Sequence, residues 1–155
     1  MENFNAFEIL RIAQKIEQDG SAFYQQAATI VTHKETRTLL LNLAKWEENH
    51  KALFMKMADN IDPDKWQFKY DPAQYKAVAA LNTFAIQASA PADLSENTSR
   101  LEILKIALKK ETDTITFYKG LKNFTTDPSA IETIDMIIKE EQHHVTVLNQ
   151  AMEGL

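Results

Sequence analysis

The sequence predicts an all-α protein: an antiparallel four-helix bundle with a long crossover that contains a short extra helix. Three observations predict it. Apolar residues recur at steps of three and four along four long stretches, which marks amphipathic helices. Only three Gly and four Pro interrupt 155 residues, of which 45% are hydrophobic. The chain also repeats itself. Glu17, Tyr24, Glu47 and His50 recur as Glu111, Tyr118, Glu141 and His144, all at an offset of 94 residues, and Ala13/Ala107 and Phe23/Phe117 keep the same offset.

The first helix is expected over roughly 5–31, with Ile9, Ala13, Ile16, Gly20, Phe23, Ala27 and Val31 on one stripe. Thr32 with Glu35 reads as a capping box for the second helix, which buries Leu39, Leu40, Leu43, Phe54 and Met57 and ends near Asp59-Asn60. Asp62-Pro63 breaks the pattern. Residues 60–72 read as an ordered loop, because Trp66, Phe68 and Tyr70 are costly to expose together. Asp71-Pro72 opens the short helix, to about Ala88, and Pro91 with the polar run to Thr98 forms a linker. Ser99 with Glu102 caps a helix running to about Phe124, with Ile103, Ala107, Phe117 and Leu121 facing in. Asp127-Pro128 starts the last helix, with Ile131, Ile134, Ile137, Ile138, Val145, Leu148 and Met152 on its stripe. The length suits a single domain over 1–155. A crossover this long can travel the height of a bundle, which is the ferritin-like arrangement.

Composition removes several functions. The chain has no cysteine, which excludes thiolate catalysis, disulfides and cysteine-held metal clusters within it. A net charge of −5 argues against nucleic acid as a partner. No apolar run is long enough for a membrane span, and the start MENFNAFEIL does not read as a signal peptide, so a cytoplasmic protein is expected.

The repeated polar residues lie on the apolar stripes. Three residues turn a helix by about 300°, so Glu47 and His50 stack on the face of Leu43 and Phe54, and Glu141 and His144 on that of Ile138 and Leu148. Glu17 falls among Ala13, Ile16 and Gly20, and Glu111 between Ala107 and Phe117. Four carboxylates crowded in a core need cations, and two divalent metals would balance them. One Glu from each of two helices plus E-x-x-H from each of the other two is the ligand pattern of a two-metal site in a bundle. Tyr24 and Tyr118 share the stripes of Glu17 and Glu111, placed for hydrogen bonds to ligand carboxylates of neighbouring helices, with plain core packing as the alternative. Glu140 and His143 form a second E-x-x-H, but the offset pairs them with Trp46 and Asn49 and so selects Glu141 and His144. His33, at a helix junction, is expected to be solvated.

The stretches KIEQDGSAFYQQAA, LAKWEENHKALF, KKETDTITFY and IIKEEQHHVTVL resemble the helix signatures of the rubrerythrin-like group of the ferritin-like superfamily. The resemblance implies a non-haem di-iron centre held by Glu17, Glu47, His50, Glu111, Glu141 and His144. It implies reduction of hydrogen peroxide. The residues themselves suit peroxide or dioxygen, with Tyr24 or Tyr118 expected as an auxiliary catalytic group that supplies a proton or hydrogen bond. Rubrerythrins draw electrons from a rubredoxin-type iron–sulfur domain held by four Cys. This chain has none, so an external donor such as a rubredoxin-like protein is expected. Rubrerythrins also carry an extra Glu one turn from the third-helix ligand. Here the corresponding positions hold Leu108 and Thr114, and Gln14 and Gly20 in the first repeat, which moves the expectation toward ferritin-type ferroxidase or iron-binding chemistry as the alternative. The ligand types also suit manganese or zinc.

Each metal is expected to take one E-x-x-H: Glu17, Glu47 and His50 for one, Glu111, Glu141 and His144 for the other, with Glu47 and Glu141 bridging. Trp66, Phe68, Tyr70 and Tyr75 give the crossover an aromatic surface that points to a homodimer.

Overall fold

The computed structural model of the protein describes residues 6–61 and 94–155. Four long helices account for nearly all of them: α1 (Ala6–Ile30), α2 (Lys34–Asp59), α3 (Arg100–Leu121) and α4 (Pro128–Glu153), with a 3-10 turn at Lys122–Phe124 after α3. The internal repeat is written into these bounds. Moving α1 along by 94 residues lands on 100–124, the span of α3 and its 3-10 turn, and moving α2 by the same step lands on 128–153, the span of α4.

The helix ends follow local chemistry. Ser99 and Glu102 form both halves of the expected capping box, with bonds of 2.8 and 3.2 Å. Asp127 accepts from the Ser129 amide at 3.1 Å, and Pro128 fills the first helical position, where a missing N–H is harmless. The α2 start differs from the expectation. His33, not Thr32, is the N-cap, its Nδ1 accepting from the Thr36 amide at 3.3 Å. Glu35 then sits 3.2 Å from His33 Nε2 instead of closing a box with Thr32. Arg37 reaches back to the Val31 carbonyl with two bonds of 2.8 and 3.0 Å, which satisfies an acceptor left open by the end of α1. The third helix also stops at Leu121, because its last three residues tighten into the 3-10 turn.

Helices α1 and α2 form one hairpin, and α3 and α4 the other. Cross-links between α1 and α2 run in opposite order along the two helices: Gln25 meets Glu48 at 2.9 Å, while Gln18 meets Lys51 at 3.2 Å. The hairpins join where α1 packs on α4 and α3.

The apolar core is divided in two. One cluster holds Ile9, Ile12, Phe54, Tyr118, Leu121 and Ile134, at the end of the bundle where α1 begins and α2 finishes. The other holds Tyr24, Leu40, Leu43, Ile103, Leu104 and Leu148, at the opposite end. Both consist of fully buried side chains, each contributing about 1.5–3 kcal/mol on leaving water. The four repeated acids lie in the interval between the two apolar clusters, so the packing that stabilises the bundle also isolates its polar centre.

No helix among the described residues is long and apolar enough to cross a membrane. The short helix expected over 71–88 lies outside the described residues. So does the stretch with Trp66, Phe68, Tyr70 and Tyr75 on which the dimer expectation rests.

Candidate metal centre

Each helix contributes one buried carboxylate to the middle of the bundle: Glu17 from α1, Glu47 from α2, Glu111 from α3 and Glu141 from α4, all at most 4% exposed. His50 and His144 complete the set, one turn beyond Glu47 and Glu141. The six side chains form two overlapping groups. Glu17, Glu47, His50 and Glu141 make one, and Glu47, Glu111, Glu141 and His144 the other, the donor atoms within each group lying within 4.8 Å of one another. Glu47 and Glu141 belong to both.

The two imidazoles are stacked, with ring centroids 5.3 Å apart and planes 12° from parallel. Both turn Nδ1 toward the acids. His144 Nδ1 lies 3.3 Å from Glu47, 3.4 Å from Glu111 and 3.6 Å from Glu141. His50 Nδ1 lies 3.7 Å from Glu17, while its Nε2 faces Glu140 at 3.3 Å. Behind His144, by contrast, stands Trp46, with its ring 5.7 Å away and 19° from parallel.

These donors are poorly satisfied by one another. Both oxygens of Glu17, Oε1 of Glu141 and Nδ1 of both histidines are buried with no hydrogen-bond partner. Buried polar atoms are nearly always bonded, and five of the eight exceptions among the described residues converge on this one place. Oxygen and imidazole nitrogen atoms, held together and left unbonded, fit a pair of divalent cations.

Electrostatics register the crowding. Burial pushes the Glu141 carboxyl well above its ordinary range, with Glu17 and Glu111 adding repulsion. Burial also raises Glu17, against the pull of His50. Burial acts on Glu111 in the same direction, but contacts with His144, Glu141 and Tyr24 outweigh it and hold that carboxyl low. For His144, burial disfavours the charged ring, yet Glu111 and Glu141 hold its pKa up at about 10.

The two tyrosines differ. The Tyr24 hydroxyl donates to Glu111 Oε1. The Tyr118 hydroxyl is equally buried but has no hydrogen-bond partner, so only one of the two expected links to a ligand carboxylate is made. Burial raises both phenols well above their ordinary value, with nearby carboxylates adding to it, so both stay protonated.

A narrow cleft reaches the acids between α1 and α3. Ile16, Gly20, Phe23, Lys110 and Thr114 line it, with Tyr24, Glu47, Glu111 and Glu141 at its floor. It has room for a molecule on the scale of water. Gly20 matters here, since a Cβ at that position would stand 3.3 Å from the Glu47 carboxyl carbon. The Lys110 ammonium lies 4.4 Å from the Phe23 ring centroid, and burial lowers its pKa to about 8, against the pull of Asp19, Glu111 and Asp113.

The rubrerythrin family model matches residues 8–152, nearly the whole chain and all six clustered residues. The chain belongs to the rubrerythrin family. Among solved structures, this rubrerythrin is similar to a protein from Thermotoga maritima described as a ferritin-like diiron-carboxylate protein, with a TM-score of 0.60 and 24% identity over 97% of this chain and 95% of that one. That likeness supports the ferritin-like bundle. No curated protein matches the chain.

In this rubrerythrin, then, Glu17, Glu47, His50, Glu111, Glu141 and His144 come together, and Tyr24 joins them through Glu111. Glu140 and His143 belong to neither group. Three neighbours were not anticipated: Glu140 and Trp46 behind the histidines, and Lys110 in the cleft. Each is offset along its helix from the polar stripe, and what it meets depends on the adjacent helix. Lys110 was the most legible of them, as a lysine next to Glu111 and at the position equivalent to Ile16.

Proposed function

We propose that this rubrerythrin-family chain is a non-haem di-iron oxidoreductase that reduces hydrogen peroxide, or dioxygen, with electrons from an external donor such as a rubredoxin-like protein. The observation that carries the reading is the pair of overlapping four-residue groups sharing Glu47 and Glu141, whose buried donor atoms lack partners. On this reading Glu17 and His50 would hold one ion and Glu111 and His144 the other, with Glu47 and Glu141 within reach of both. Two ferrous ions would bring four positive charges against four carboxylates and would supply the two electrons that, with two protons from solvent, reduce one peroxide to two waters.

The chain's own residues supply placement and protection. The two apolar clusters keep bulk water from both ends of the centre. The cleft beside Gly20 admits a small oxidant and leaves no room for an organic substrate. Tyr24 holds the Glu111 carboxylate in place and keeps its proton on the phenolic oxygen. Lys110 lines the approach and offers an ammonium group as a hydrogen-bond donor to an entering peroxide.

A second reading, ferroxidase or iron binding without sustained turnover, is favoured by one feature. Gly20 and Thr114, one turn beyond Glu17 and Glu111, put no fifth carboxylate in the cleft. The iron-loaded chain with an external reductant and excess peroxide separates the two. Continuous peroxide loss over many turnovers supports the peroxidase, and a single burst of one peroxide per two irons present supports the alternative.

A further inference from the structure

The repeat that places the two E-x-x-H pairs is broken at the residue behind each histidine. The 94-residue step maps Trp46 onto Glu140, and each immediately precedes a clustered acid, Glu47 or Glu141. The two also cross over. Glu140 of α4 stands behind His50 of α2, and Trp46 of α2 stands behind His144 of α4. One histidine is therefore backed by a carboxylate and the other by an indole.

We propose that this broken symmetry makes the two metal positions unequal: the Glu17–His50 position binds first and more tightly because Glu140 positions His50, and the Glu111–His144 position fills second. The inference rests on the metal centre argued above. A carboxylate oxygen 3.3 Å from Nε2 favours the ring tautomer that carries its hydrogen on that nitrogen. That fixes the tautomer whose Nδ1 lone pair faces Glu17, so the ligand is presented ready-oriented. An indole has a donor N–H and no acceptor, so Trp46 cannot do the same for His144. It restrains that ring only by stacking. Partners of metal-bound histidines typically change affinity by 10- to 100-fold. Glu140 is 46% exposed, so the lower end, about tenfold, is expected.

The test is an anaerobic titration of the full chain with cobalt(II), followed by its visible absorption. Two steps are expected, the first at least about tenfold tighter. His50→Ala removes the tight step. Glu140→Ala weakens it about tenfold and spares the other. Glu140→Gln retains most of it, because the amide oxygen still accepts from Nε2. Trp46→Glu, which sets a carboxylate behind His144, tightens the second step, an effect that a merely structural role for Glu140 does not produce. Two steps of equal affinity, or a tight step that survives Glu140→Ala in a chain with unchanged circular dichroism, would overturn the inequality and leave the metal centre standing. A chain that takes up no cobalt would overturn the metal centre and the inequality together.

Discussion

The phenol of Tyr24 donates its hydrogen to Glu111, 87 residues further along the chain and in the other half of the repeat. The bond ties α1 to α3 at the polar centre, across the junction between the two hairpins. The equivalent tyrosine, Tyr118, is as deeply buried but has no partner. The two conservative substitutions should therefore diverge. Tyr24→Phe removes a bond to a charged group and should destabilise the metal-free protein by about 1.5–3 kcal/mol. Tyr118→Phe removes a buried, unbonded hydroxyl and should be neutral or slightly stabilising. Urea denaturation of both variants in the presence of a chelator measures the difference, and equal losses would contradict it.

Stability without metal should depend on pH in a defined direction. The folded pKa of His144, about 10, lies above its ordinary 6.5, so its stabilising contribution is complete below pH 6.5 and is lost as pH rises toward 10. Glu141 and Glu17 are also raised, so the fold is most favoured while they are protonated and less so as they ionise. Lys110 acts oppositely. Its folded pKa of about 8 lies below 10.5, so the strain of holding its charge is relieved as pH climbs past 8. The trend is thus unopposed between pH 6.5 and 8. Over that window the chelator-treated protein should lose up to about 2 kcal/mol from His144 alone. Metal-loaded protein should change less, because the metals replace the protons. A melting temperature of the chelator-treated protein that holds steady or rises from pH 6.5 to 8 would contradict this assignment of charge.

The reach of the sequence can be seen in particular residues. Periodicity places Glu17, Glu47, Glu111 and Glu141 on apolar stripes, and the 94-residue step selects Glu141 over Glu140 and His144 over His143. Those relationships are local to one helix or fixed by duplication, so they can be read before folding. Capping was legible for the same reason at Ser99 and Asp127. It was not at α2, where Thr32 and His33 compete for one cap and the bond between Arg37 and Val31 belongs to the folded turn. The contacts of Glu140 with His50 and of Lys110 with Phe23 were hidden because helical phase describes a residue's own helix only. A side chain 100° off the stripe can still reach a neighbouring helix, and a long lysine stem can lie along an aromatic face while its charge stays near the cleft.

Gly20 separates stability from metal affinity. In a helix interior, Gly→Ala gains about 1 kcal/mol from backbone entropy. The new Cβ would stand 3.3 Å from the Glu47 carboxyl carbon, so that carboxylate must move by a few tenths of an ångström. Gly20→Ala should therefore raise the melting temperature of the chelator-treated protein and weaken metal binding, and thermal melts with and without metal read both effects. Unchanged affinity would show that Glu47 is not held by the space Gly20 leaves.

Metal content tests the central claim most directly. The purified chain, loaded with ferrous iron under anaerobic conditions and desalted, should carry two ions per chain by elemental analysis. His50→Ala and Glu141→Ala should carry one or none. His143→Ala should carry two, and so should Glu140→Ala when the free metal is saturating. Two ions retained by the His50 and Glu141 variants but lost from the His143 variant, or no iron in the unaltered chain, would contradict the account.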